Sequence, residues 1–138
     1  MALSQSLRNK AVLIEKYITI PVASATVVGP AVPAGSVVLS AGVEVLAAVS
    51  GVPTTYTVAA SDGTTTFMAA TTIKSLAAGA IVAGVVPGFI SAADTVDAVV
   101  VVSGTAPSTT TAARMWALVA DVNESVLPAA EVDRDTLA

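Results

Sequence analysis

The chain has 138 residues, 54% hydrophobic and 12% charged, with no Cys, no His and a formal net charge of -4. Without Cys there is no disulfide framework, thiolate nucleophile or thiolate metal site, and without His the commonest general base and transition-metal ligand are both missing. The acidic balance, with a pI near 4.4, argues against nucleic acid as a partner because nothing offsets several phosphates at once, and at this length one domain is the expectation.

Mean hydropathy is high, yet Ala and Val, roughly two fifths of the chain, raise it rather than Leu, Ile and Phe. The uncharged windows are broken by helix-weakening residues: Gly79, Gly84, Pro87 and Gly88 in one, Pro21, Pro30 and Pro33 in the other. No membrane-spanning helix is expected. Arg8 and Lys10 ahead of Ala23-Ser24-Ala25 imitate a secretion signal, but Glu15 and Lys16 interrupt the apolar region directly after Ala11–Ile14. The segment therefore reads as an exposed arm running into a first strand.

Period two dominates from there. In Ala11–Ile20, Val12, Ile14, Ile18 and Ile20 alternate with Leu13, Glu15, Tyr17 and Thr19, and Pro21 ends the strand. Ser36–Val49 places Val37, Leu39, Ala41, Val43, Val45, Ala47 and Val49 on one face and Ser36, Ser40 and Glu44 on the other. Gly42 in its middle predicts a bulge or bend. Thr54–Ala60 and Thr64–Ala69 form a hairpin about Ser61-Asp62-Gly63, since Asp-Gly tolerates the positive φ of such turns. Thr72–Ala83 fits a short helix as well as a strand, with Ile73, Leu76, Ala77, Ala80 and Ile81 at helical spacing. The Val-rich run Val96–Val102 predicts a central strand covered on both faces. Thr111–Val122 reads as a last strand although Met115, Leu118, Val119 and Val122 also fit helical spacing, because a Thr run precedes it. The pattern is all-β: an antiparallel sandwich or jelly roll of about seven or eight short strands. Residues 27–122 form its body, 1–26 an N-terminal arm and first strand, and 123–138 a C-terminal tail.

Chemistry-bearing clusters are few. Asp94 with Asp97, Asp121 with Asn123 and Glu124, and Asp133 with Asp135 offer oxygen ligands, but none matches a calcium loop and all read as solvated turn or tail charges. Lys74 beside Ser75 is poorly placed for an activated hydroxyl, because adjacent strand residues face opposite ways. Asn123-Glu124-Ser125 fits the glycosylation sequon by composition alone. Trp116, the lone Trp, is expected to pack in the core. No cofactor and no catalytic residue is expected. The termini differ from the body: Met1–Lys10 is basic, and the last residues gather Glu131, Asp133 and Asp135 around Arg134. Leu3, Leu7, Val126, Leu127 and Val132 are apolar anchors that could reach neighbouring subunits.

Several stretches resemble small β-sandwich proteins of tailed-bacteriophage virions, in particular the head decoration, or cement, proteins. They are Pro33-Ala34-Gly35-Ser36-Val37-Val38, Ser91-Ala92-Ala93-Asp94-Thr95-Val96 with the Val run after it, Gly104-Thr105-Ala106-Pro107, and Arg114–Val122. Thr109–Ala113 stand where that group carries a glycine before the last strand. The resemblance implies a noncatalytic protein on the outer surface of a virion, a homotrimer that stabilises the capsid by bridging neighbouring major capsid proteins. Leu3, Leu7, Arg8, Lys10 and Lys16 are the expected capsid-contact arm, with neither nucleic acid nor membrane as partner. The alternative from the same group is a head-fibre or tail-fibre module binding a host receptor or glycan. A carboxylate enzyme would need two acids facing one cleft, whereas most acids here fall in turns and tails.

Overall fold

The computed structural model describes residues 11–121, the side chain of Asp121 aside, and they form an antiparallel β-sandwich. In chain order the strands are β1 (Val12–Ile20), β2 (Ala25–Val27), β3 (Ala31–Val32), β4 (Ser36–Val45), β5 (Thr55–Ser61), β6 (Thr66–Thr72), β7 (Ile81–Gly84), β8 (Gly88–Ile90), β9 (Asp94–Thr95), β10 (Asp97–Ser103) and β11 (Thr111–Asp121). The strands outnumber those expected because β2, β3, β8 and β9 are only two or three residues long, too short for a period-two signature. One sheet has the order β1-β11-β4-β7, with β8 also paired to β4; the second has the order β2-β10-β5-β6; β3 and β9 pair by themselves. Among the described residues no helix is long and apolar enough to cross a membrane.

The two sheets meet through inward side chains that are mostly Ala and Val, with a few larger ones among them. Val43, Val45, Ala113, Met115 and Ala117 of the first sheet and Tyr56, Val58, Ala60, Ala98 and Val100 of the second are buried. Ala and Val supply most of this layer around Tyr56 and Met115, each fully buried Val contributing about 1.5–3 kcal/mol. That is why the composition is rich in them without forming membrane spans. The expected last strand is β11, which alternates inward Thr111, Ala113, Met115, Ala117 and Val119 with outward Ala112, Arg114, Trp116 and Leu118. It lies between β1 and β4, so the first and last described strands are neighbours. The expected hairpin joins β5 to β6: Gly63 has φ +91°, and the Asp62 carboxylate accepts from the amides of Thr64 and Thr65 at 2.8 and 2.6 Å.

Four expectations are corrected. First, β4 ends at Val45 and does not keep one parity. Leu118 pairs with Ser40 but Val119 with Val38, leaving Leu39 over as a bulge. Ser36 and Val38 point inward before it, and Ala41, Val43 and Val45 after it. Val37 and Leu39 thereby leave the buried face. Gly42 is not the bulge; it sits in regular pairing opposite Trp116 and Ala83.

Second, β10 is central in its sheet but covered on one face only. Ala98 and Val100 are buried while Val101 is 44% exposed, because the sandwich has no third layer on that side among the described residues. Third, residues 73–80 form neither strand nor helix. Two tight turns close with Leu76 N–H on Ile73 C=O (3.2 Å) and Ala80 N–H on Ala77 C=O (3.1 Å), passing through positive φ at Ser75 and Gly79. The amides of Val49 and Gly79 donate to Leu76 and Val45 C=O, so the helix-like spacing records where a loop is anchored. Fourth, Trp116 faces outward.

Candidate functional site

The sheet register arranges the outward side of the five-stranded sheet as a grid. One row crosses β1, β11, β4 and β7 as Tyr17, Arg114, Glu44 and Ile81; the next as Glu15, Trp116, Gly42 and Ala83; the third as Leu13, Leu118 and Ser40. Beyond the bulge the face continues as Ala120, Val37 and Phe89 across β11, β4 and β8. Alternation in an antiparallel ladder places all of these on one side. Tyr17, Ile81, Phe89 and Leu13 are 69, 60, 58 and 57% exposed. Val85 and Val86, in the loop from β7 to β8, add exposed apolar surface at its rim.

Charge on this face is concentrated at its middle. Arg114 Nη2 donates to Glu44 Oε2, and Nη1 lies 3.4 Å from Glu15 Oε2. The hydrogen bond from Arg114 to Glu44 and the charge of that carboxylate hold the guanidinium above its ordinary pKa, with smaller contributions from Glu15 and Tyr17. Two carboxylates thus flank one guanidinium in this cluster. Glu44 is the better covered acid, with a side chain 20% exposed, while Glu15 is 43% exposed. Beside them an open hollow of about 290 Å³ is lined by Leu13, Glu15, Glu44, Ile81, Arg114 and Trp116.

Trp116 is held there by Gly42. A Cβ on Gly42 would stand 2.5 Å from Trp116 Cζ2 and 2.6 Å from the Val82 carbonyl oxygen. The missing side chain is the space that the indole occupies, a pairing of aromatic and glycine across a ladder. The expectation of a core Trp fails on parity: Ala113, Met115 and Ala117 take the inward positions of β11, which leaves residue 116 on the outward side.

Of the expected contact residues, Leu3, Leu7, Arg8 and Lys10 lie outside the described residues, as do Asn123, Glu124, Ser125, Asp133 and Asp135. Lys16 lies on β1, exposed at the sheet edge, with inward parity between Ile14 and Ile18 and opposite Met115. An inward-pointing Lys on an edge strand opposes pairing with another strand's edge. Glu15, Glu44 and Arg114 carry no site role in the sequence analysis, and Trp116 is expected there in the core. Their signal was present, since each occupies the outward parity of a strand already recognised, but nothing in the sequence alone aligns β1 with β4.

Asp97 and Asp94 serve the fold. Asp97 Oδ1 accepts from Thr95 Oγ1 at 2.6 Å and from the Gly29 amide at 3.3 Å, tying the chain before β3 to β10. Asp94 Oδ1 accepts from the Thr95 amide. A second hollow, about 150 Å³, lies between Asp62, Thr64, Phe89 and Asp94, and both of its carboxylates serve local turns. Among the described residues no three His, Cys, Asp or Glu come together as a metal site.

No protein-family model matches the chain, and no curated protein matches it. By structure it is similar to a chain in the acidic stable capsid structure of Helicobacter pylori bacteriophage KHP30, with a TM-score of 0.57 and 12% identity over 82% of this chain and 89% of that one. The likeness is one of fold.

Proposed function

We propose that the chain is a noncatalytic structural protein of a tailed-phage virion, placed on the outer surface of the capsid and stabilising it by bridging neighbouring major capsid proteins. The observation that carries this reading is the outward face of the five-stranded sheet, where Leu13, Tyr17 and Ile81, each more than half exposed, flank one charged cluster and Phe89 extends the exposed apolar surface beyond the bulge. Apolar patches of this breadth mark interaction surfaces rather than solvated ones. The fold shared with a chain of a phage capsid structure supports the same reading. Repetition over a lattice turns modest contacts per copy into tight retention, and a two-sheet sandwich with a broad exposed face suits that role. The arm residues Leu3, Leu7, Arg8 and Lys10, with Lys16 at the edge of β1, extend the contact along the shell.

Cosedimentation with capsids stripped of their accessory proteins tests the reading. Full-length chain should bind saturably, and deletion of Met1–Lys10 should abolish binding while the far-UV spectrum stays β-like. Retained binding would remove the arm from the interface; no binding by the full chain would remove the capsid. A second reading, a fibre module for host glycans, is favoured by Tyr17 and Trp116 lying diagonally adjacent on the outward face, since sugars stack on such aromatic surfaces. A glycan array distinguishes the two, with saturable binding to a defined glycan supporting the fibre module.

A further inference from the structure

We propose that the hollow beside Trp116 is a socket for one Lys or Arg side chain, presented between apolar neighbours by an extended segment of the capsid subunit. The chemistry of the socket carries the kind of group received; the identity of the presenting protein rests on the function proposed above.

Three features define the occupant. Leu13 and Ile81, each well over half exposed, wall the hollow on opposite sides and offer cover for an aliphatic stem. Trp116, fixed over Gly42, adds an aromatic surface that attracts a cation. At the base, Arg114 is shared between two carboxylates: it donates a hydrogen bond to the better covered Glu44, while the 3.4 Å approach to Glu15 leaves that acid more open to solvent. The cluster holds one negative charge in excess, and that excess faces the opening through Glu15. A cation on an apolar stem satisfies all three; an anion or a purely apolar side chain does not.

Charge also argues against two copies meeting face to face. Such a contact would bring two Arg114 and four carboxylates into one desolvated layer, an uncompensated surplus of negative charge. A partner carrying a positive charge removes the surplus instead.

Trp116 is the chain's lone tryptophan, so its emission reports on the socket directly. The probes are a blocked valine-serine-lysine-serine-valine peptide and the same peptide with norleucine for lysine, titrated into the full chain. The lysine peptide should change the emission saturably, the norleucine peptide at least tenfold more weakly. Glu15→Gln should weaken the lysine peptide at least tenfold without moving the melting temperature. Absence of a saturable change, equal response to norleucine, or an unaffected Glu15→Gln variant would overturn the socket.

Capsid cosedimentation with Glu15→Gln then tests the source. Parallel loss of capsid binding supports the capsid subunit, and unchanged capsid binding overturns it. A Met1–Lys10 peptide that binds more tightly than the lysine probe would also overturn the capsid assignment, giving the socket to another copy's arm. Failure of the full chain to bind capsids at all removes the proposed function, while the peptide titration alone decides the socket.

Discussion

Gly42 and Trp116 form a single packing unit, and its energetics can be read directly. In Gly42→Ala the new methyl meets the indole at 2.5 Å and a backbone carbonyl oxygen at 2.6 Å, so either the ring swings out or β7 shifts. We expect a loss of about 1–3 kcal/mol, as for other overpacked sites, with a shift of tryptophan emission to longer wavelength; denaturant unfolding followed by fluorescence measures both. Tyr56 gives a second residue-scale case. It is buried, its hydroxyl donates to the Pro21 carbonyl at 2.9 Å, and burial raises its pKa against a smaller lowering by the hydrogen bond with Thr111. A folded-state pKa above the unfolded value of about 10 means that the fold favours the protonated phenol. That contribution is complete below pH 10 and is lost as pH rises through the folded value. Tyr56→Phe should cost about 1 kcal/mol at neutral pH yet flatten the decline above about pH 10, as urea titrations at a series of alkaline pH values will measure.

At the scale of elements, the bulge in β4 decides which side chains are core. Val38 and Ser40 already pair with the consecutive residues Val119 and Leu118, so removing Leu39 closes the bulge and leaves both Ser36–Val38 and Ala41–Val45 in their present parity. The deletion, like Leu39→Ala at a position 37% exposed, should cost no more than about 1–2 kcal/mol. A loss of about 3 kcal/mol or more in thermal unfolding, the burial value of a single Val, would show that the bulge itself is needed to hold the buried set. The remaining pairings join distant parts of the chain, β1 with β11 above all, and among the described residues only the β5–β6 hairpin closes locally. Such topology folds slowly because long loops must close before contacts form.

For the whole molecule, the direction of the outer strands matters most. Val12 at the start of β1 pairs with Val119, and Asp121 at the end of β11 pairs with Ser36. The described residues therefore begin and end at the same end of one sheet. The sequence before them carries Arg8 and Lys10 and the sequence after them Glu131, Asp133 and Asp135, opposite charges that suit complementary contacts between copies of a closed cyclic assembly. Size-exclusion light scattering at two concentrations should give a mass near three times 13.6 kDa; a monomer at both would exclude a trimer that forms without the capsid.

The all-β class, the hairpin about Asp62-Gly63 and the strands over Ala11–Ile20 and Thr111–Asp121 were legible in the sequence, because alternation and turn chemistry act between residues close in the chain. Glu15, Glu44 and Arg114 illustrate what was not. Each was visible as a charge on the outward parity of a strand, but their meeting depends on β11 inserting between β1 and β4 with one particular register. The parity of Val37 and Leu39, the single-sided burial of β10 and the outward Trp116 have the same origin. Periodicity states that a strand has two faces; only the packing of one sheet on the other, with a bulge that switches the parity of β4, selects which face becomes core and which stays exposed.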